Sequence, residues 1–254
     1  MAGLSTPMDV VLDEDRHWWF ATRTRAILAY LDRFAGPDGY PEILDVGCGA
    51  ANMTHHLRHY GRVRGVDNNP RPLEVARRRG LDAVQGSAEE LPFAGATFDL
   101  VALLDTIEHV PGESRVLSEC RRVLRPGGKL LVTVPAFQFL WSHNDVINRH
   151  QRRYTAGSLR ARLAGGGFRP LRVSYTHFLT FHAAAALILL RRGRAEPDLA
   201  SPHLGDDAYQ VEMEPASPLV NQLLDAVGKA EAGLLRHVSL PWGTSVIALA
   251  ACQE

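Results

Sequence analysis

Residues 43–54 read ILDVGCGAANMT, an apolar run ending in Asp45 followed by two closely spaced glycines and a helix start. Gly47 and Gly49 allow a tight turn and a close ligand approach where a Cβ would clash. In an alternating strand–helix chain, such a turn opens a nucleotide-sized pocket at the end of the first strand. Asp67 follows about 20 residues later, at the end of the next apolar run, where a carboxylate is suited to bridging ribose hydroxyls. The dinucleotide version of this turn needs a third glycine three residues beyond the second. Here that position is Asn52.

A second group of reactive side chains lies in the segment FQFLWSHNDVINRHQRRYT, residues 137–155. It contains His143, Asp145, His150, Arg152, Arg153 and Tyr154, so it offers bases, a carboxylate and cations within one loop. Loops at the carboxyl ends of parallel strands face the ligand crevice. His143, His150 and Asp145 are therefore the candidate catalytic groups, with Arg153 and Tyr154 as candidate substrate contacts. The alternative is structural: Asp145 pairs with Arg153 to hold the loop shut and Tyr154 caps the next helix. A third cluster is Arg16-His17-Trp18-Trp19-Phe20, with Arg23 and Arg25 behind it. Three adjacent aromatics cannot share one helix face. Trp18 and Trp19 are read as substrate contacts on an N-terminal lid, against the alternative that they only pack the helix onto a sheet. His109 beside Glu108 reads more readily as structural than as a base.

The elements that must position these groups follow from periodicity. Ile27, Leu28, Leu31 and Phe34 recur at helical spacing and stop at Gly36-Pro37-Asp38-Gly39. Strands are predicted at 42–46, 62–67, 83–86, 98–104, 129–134, 169–175 and 244–251. Helices are predicted at 52–60, 72–79, 113–124 and 158–164, with a long loop over 135–154. The alternation implies an α/β fold with a mostly parallel sheet covered on both faces. Between the last two strands lies an insertion, about 177–240. It holds an apolar helix (178–192), a connector rich in Pro, Asp and Glu (195–218) expected to be flexible, and an amphipathic helix (219–235). The chain thus divides into an N-terminal helical lid (1–40) and one cofactor-binding domain (41–254).

Three later segments sharpen the reading of the glycine turn: GSAEELPFAGATFDLVALLDTIEHV (86–110), LRPGGKLLVTVP (124–135), and the order in which they occur. Together with the turn they resemble the class I S-adenosylmethionine-dependent methyltransferases, in the bacterial small-molecule group that includes ubiquinone/menaquinone-type enzymes. The resemblance covers roughly residues 40–175. It implies a Rossmann-like seven-stranded sheet whose last strand is antiparallel. It also implies that S-adenosylmethionine is the cofactor. Asp45, Gly47 and Gly49 would border its methionine end, Asp67 would take the ribose and Asn68 would flank the adenine. Ser87 and Ala88 would face the adenine edge, and Leu104 and Asp105 would lie near the reacting methyl. Two positions depart from the family pattern: Ser87 replaces a usual Asp, and Ala51 replaces the third glycine. The arrangement Asp145-x4-His150-x2-Arg153-Tyr154 also recurs in that group.

The composition is that of an ordinary globular chain: 254 residues, 46% hydrophobic, 22% charged and formally uncharged overall. No basic field points to nucleic acid. Three widely spaced cysteines, Cys48, Cys120 and Cys252, form no metal-ligand pattern, and no metal is expected. The acidic N-terminus lacks the basic start of an export signal, so a cytoplasmic location is expected. The apolar stretch 178–190 is too short to span a bilayer. With Arg191, Arg192 and Arg194 behind it, it forms either a wall of the acceptor pocket or a surface for peripheral membrane contact. The expected function is methyl transfer to oxygen or nitrogen of a small-molecule, secondary-metabolite acceptor, by a monomer or homodimer. The alternatives are a glycan or lipid-linked acceptor, or a non-catalytic S-adenosylmethionine-binding protein. A nicotinamide oxidoreductase is disfavoured by Asn52 and by the Pro-Gly-Gly turn.

Overall fold

The computed structural model describes residues 13–36, 39–191 and 217–253. In chain order the elements are α1 (Asp13–Arg16), α2 (Trp18–Phe34), β1 (Glu42–Val46), α3 (Asn52–Leu57), β2 (Arg62–Asp67), α4 (Pro70–Arg78), β3 (Asp82–Gln85) and β4 (Phe98–Leu104). They continue with α5 (Glu113–Val123), β5 (Leu124–Pro135), α6 (His143–Ile147), α7 (Ala156–Gly165), β6 (Phe168–Thr176), α8 (Phe181–Arg191), α9 (Pro218–Leu235) and β7 (Ser245–Cys252).

The seven strands form one sheet in the order β3-β2-β1-β4-β5-β7-β6. β1 pairs in parallel with both β2 and β4, so the crevice beyond their carboxyl ends lies at the reversal of strand order. β7 runs antiparallel between β5 and β6. Alternate residues feed two apolar layers. Leu44, Val101, Leu103, Val132 and Ala248 pack on one face, and Ile43, Leu100, Ala102, Leu131 and Ile247 on the other. Burial on both faces explains why the central strand β4, FDLVALL, reads as a nearly continuous apolar run.

The expected lid is a packed helix along most of its length. Ala26, Ile27, Tyr30 and Leu31 of α2 are buried in the second layer. α9 lies across α2 so closely that a Cβ on Gly228 would stand 2.1 Å from Thr22 Oγ1. Asn221 ties the crossing by accepting from Trp18 N and donating to Arg16 O. From the same helix Glu231, 1% exposed, accepts from the backbone N–H groups of His177 and Leu179. The insertion is thus clamped to both the N-terminal helix and the end of β6.

Local differences from the sequence reading have local causes. The 135–154 loop contains α6, because Ser142 and Asp145 form a capping box. Thr155, not Tyr154, caps α7. The 195–218 connector lies outside the described residues except for its last two, as do Arg192 and Arg194. Among the described residues, no helix is long and apolar enough to cross a membrane.

Candidate active site

The turn after β1 has the backbone its sequence demands. Gly47 has φ +77°, and a Cβ there would lie 2.5 Å from Thr106 Oγ1, which itself donates to Val46 O at 3.0 Å. Gly49 has φ +51°, and a Cβ there would meet nothing within 4 Å. Gly47 is required by Thr106 just beyond β4, and Gly49 leaves open space in front of it. Ala51 also adopts a left-handed conformation, φ 73°, at the position of the missing third glycine. Left-handed backbone costs a non-glycine residue about 1–2 kcal/mol, so the fold tolerates the departure without changing course.

Two carboxylates flank this turn. Asp67, half-buried at the end of β2, accepts from Gly49 N at 2.9 Å and from Asn69 N at 2.8 Å. Each of its oxygens keeps a further lone pair. Asp45 is 2% exposed and accepts from Thr54 Oγ1 at 2.5 Å. Burial pushes its pKa up to about 6, the Thr54 hydrogen bond opposing and the Asp67 charge adding. Asn68 and Ser87 are exposed beside β2 and β3, and Ala88 is half-buried.

At the end of β4, Leu104 is buried and Asp105 takes φ +51°. Arg23 Nη1 donates to Asp105 Oδ2 at 2.6 Å, and Thr133 Oγ1 donates to Asp105 Oδ1 at 3.0 Å. Left-handed non-glycine residues recur just beyond β5 and β6, at Phe137 (φ 56°) and His177 (φ 59°). Strain of this kind concentrates at functional edges. His177 is buried, and Trp19 stacks on it with ring centroids 4.0 Å apart. Burial pushes the His177 pKa down to about 4. Phe137 stacks on Tyr175 at 5.1 Å, with Phe139 and Phe181 at its side.

The loop residues expected to be catalytic separate into two kinds. Asp145 is fully buried, and its oxygens accept from Arg153 Nε and Nη2, His150 Nδ1 and Ser142 N, each at 2.7–2.8 Å. Burial alone would raise its pKa, but the His150, Arg153 and Ser142 hydrogen bonds hold it well below the usual carboxylate range. Its oxygens thus face Arg153, His150 and Ser142 within the loop, the pairing given above as the structural alternative. Arg153 is spent on Asp145 and Ala136 O, and Tyr154 is 2% exposed with its hydroxyl donating to Glu113. His143 is exposed at the start of α6, and His150 is half-buried with Nε2 uncommitted. Trp18 and Trp19 meet edge to face at 5.4 Å.

Three residues were missed by sequence reasoning. Arg23 was seen only as part of a basic cluster, and Thr106 and Thr133 not at all. No local pattern marks them, because their partners lie far away in the chain. Glu108 is the fourth surprise. It is fully buried, both carboxylate oxygens lack a hydrogen-bond partner, and burial with the Asp105 charge pushes its pKa well above the ordinary carboxylate range.

This strand order with one reversed strand, a glycine turn after β1 and an acid after β2 define the class I S-adenosylmethionine-dependent methyltransferase fold. Residues 44–132 match the model of the methyltransferase domain family. Over 111 residues the chain is 39% identical to a ubiquinone biosynthesis O-methyltransferase of Nitrosococcus oceani, covering 41% of this chain and 47% of that protein. Over 123 residues it is 35% identical to a sarcosine/dimethylglycine N-methyltransferase of Halorhodospira halochloris, covering 44% and 43%. The matching region spans about half the length of the curated relatives. A Haemonchus contortus phosphoethanolamine N-methyltransferase 2, solved in complex with S-adenosyl-L-methionine, superposes with a TM-score of 0.56 at 19% identity, covering 90% of this chain and 52% of that one.

S-adenosylmethionine is the cofactor of this family, and the residues present fit it. The open space off Gly49, with the Asp67 carboxylate across it, is a cradle that a side chain at residue 49 would fill.

Proposed function

We propose that the protein is an S-adenosylmethionine-dependent methyltransferase acting on oxygen or nitrogen of a small apolar molecule. The observation that carries this reading is the pairing of the cradle at Gly49 and Asp67 with the Arg23–Asp105 ion pair on the adjoining strand end. In it, Gly47, Gly49 and Asp45 hold the methionine end of the cofactor and Asp67 the ribose. Asn68, Ser87 and Ala88 border the adenine, and Leu104 and Asp105 line the methyl position. When bound, S-adenosylmethionine supplies a methyl group already activated by its sulfonium charge.

What remains for the chain is orientation and exclusion of water. Arg23 anchors α2 over the end of β4, so Trp18 and Trp19 act as the lid's inner surface. The Phe137–Tyr175 stack with Phe181 supplies an apolar wall for a ring or chain of the acceptor. A proton released by the acceptor has His150 as its acceptor, because Nδ1–H is committed to Asp145 and Nε2 carries the lone pair. The relatives' O- and N-acceptors support a small-molecule acceptor of either type. A secondary-metabolite acceptor is the finer form of this proposal.

A lipid-linked acceptor is the second reading. It is favoured by Leu190 and Leu219, each 77% exposed, and Leu223, 65% exposed, on α8 and α9. Calorimetry with S-adenosylmethionine and with NADH tests the cofactor, and methyl-labelled cofactor with phenol, amine and lipid-linked acceptors tests the transfer. Binding of S-adenosylmethionine alone, with label moving to at least one acceptor class, is expected. Absence of S-adenosylmethionine binding would end the proposal, and binding without transfer to any acceptor would leave a sensor or scaffold. Flotation with liposomes separates the lipid-linked reading, which fails if no protein floats.

A further inference from the structure

We propose that Glu108, His109 and His150 form a binding site for one divalent first-row transition-metal ion. One ligand atom from each of the three residues lies within 4.8 Å of the others. The donor set comes from two segments that backbone hydrogen bonding ties together, since Gln151 N donates to Glu108 O at 2.7 Å.

Each of the two imidazoles is held through its Nδ1. His109 Nδ1 faces Asn148 O at 2.8 Å, and a carbonyl only accepts, so Nδ1 carries the proton. His150 Nδ1 faces Asp145 Oδ1 at 2.8 Å, and that ionised carboxylate likewise only accepts. Each ring therefore offers an Nε2 lone pair. This carboxylate or carbonyl support behind a histidine is the arrangement that orients metal-bound imidazoles. The Asp145 support is itself locked by Arg153 and Ser142. The two rings stand edge to face, centroids 4.6 Å apart.

Glu108 supplies the independent observation. A fully buried carboxyl with both oxygens unpartnered is costly, and such groups need a partner of some kind. No cation of the described residues hydrogen-bonds or ion-pairs with it; Arg23 pairs with Asp105 and Arg153 with Asp145. A metal bound by the two Nε2 atoms supplies that partner. Two imidazoles and one carboxylate suit Zn2+, Fe2+ or Co2+ better than Mg2+, which prefers oxygen ligands. Three protein ligands also leave coordination positions for outside oxygens. A metal there makes His150 a ligand, and polarisation of an acceptor hydroxyl replaces its service as base. That use rests on the methyl-transfer reading; metal binding does not.

The test uses full-length protein stripped by chelator dialysis and titrated with Co2+ by visible absorption and with Zn2+ by calorimetry. One equivalent of each is expected. His109→Ala and Glu108→Gln are expected to weaken Co2+ binding at least about tenfold, and Asp145→Asn by about 10–100-fold. His109 is exposed, so its variant does not threaten the fold, and melting curves report on the others. Calorimetry with S-adenosylmethionine on the same samples reads the cofactor site separately. The site is disproved if the wild type takes up neither metal, or if folded His109→Ala and Glu108→Gln proteins bind Co2+ as tightly as the wild type.

Discussion

Arg23 of α2 donates to Asp105 at 2.6 Å, joining the N-terminal helix to the end of β4 across 82 residues of chain. Both side chains are partly exposed, at 22% and 30%, so the pair contributes little to stability, on the order of 1 kcal/mol or less. Its consequence is positional. Arg23→Ala is expected to lower turnover at least about tenfold while S-adenosylmethionine affinity changes little, because alignment of the acceptor depends on a fixed lid. Steady-state kinetics with calorimetry checks this; an unchanged kcat would mean the pair is surface decoration.

The two glycines of the first turn should fail differently. Gly47→Ala puts a methyl 2.5 Å from Thr106 Oγ1 at φ +77°, so a loss of about 2 kcal/mol or more in stability is expected, visible in denaturant melts. Gly49→Ala meets no protein atom and costs the fold about 1 kcal/mol through its φ. It should nonetheless lose most cofactor affinity, since its methyl enters the cradle. A folded Gly49→Ala protein that binds S-adenosylmethionine normally would move the cofactor elsewhere.

Arg153→Ala strands a fully buried, ionised Asp145. Removing one partner of such a pair costs about 3–5 kcal/mol, and Arg153→Lys recovers only part of it because the two-pronged contact is lost. Thermal melts of both variants, with proteolysis of the 137–155 loop as a local readout, test the ranking.

Two buried groups give opposite pH dependences. His177 has a folded pKa near 4 against 6.5 unfolded, so the unfolded chain binds its proton first as pH falls. Its neutral burial is without penalty above pH 6.5 and costs on the order of 3 kcal/mol once pH falls through 4. His177→Asn suits the left-handed backbone and removes the titration, so it should gain stability relative to wild type as pH drops through that window. Asp45, raised from 3.8 to about 6, behaves in reverse. The folded state holds its proton between those values, so stability falls as pH rises through them, and Asp45→Asn should remove that loss. Urea melts from pH 4 to 7 distinguish the two signs.

The division between sequence and tertiary structure follows from the range of the forces involved. β1, β2 and β4 were legible to the residue, because their buried apolar positions are bounded by turn chemistry. The glycine turn and Asp67 were legible too, since the backbone there admits few residue types. Asp145, Arg153 and Tyr154 were recognisable as a group, but whether they touch an acceptor or one another was not. Burial and hydrogen-bond saturation decided that, and both depend on segments that meet only in three dimensions. Arg23 against Asp105, Glu231 beneath His177, and an unpartnered Glu108 beside two imidazoles have no local signature at all. The sequence by itself determined the sheet and its glycine turn, and the segments at 86–110 and 124–135 carried the resemblance that implies the cofactor class. Only the packing of α2, α9 and the 137–155 loop against the strand ends decided which polar groups remain free to act, because desolvation and charge pairing are set by neighbours distant in the chain.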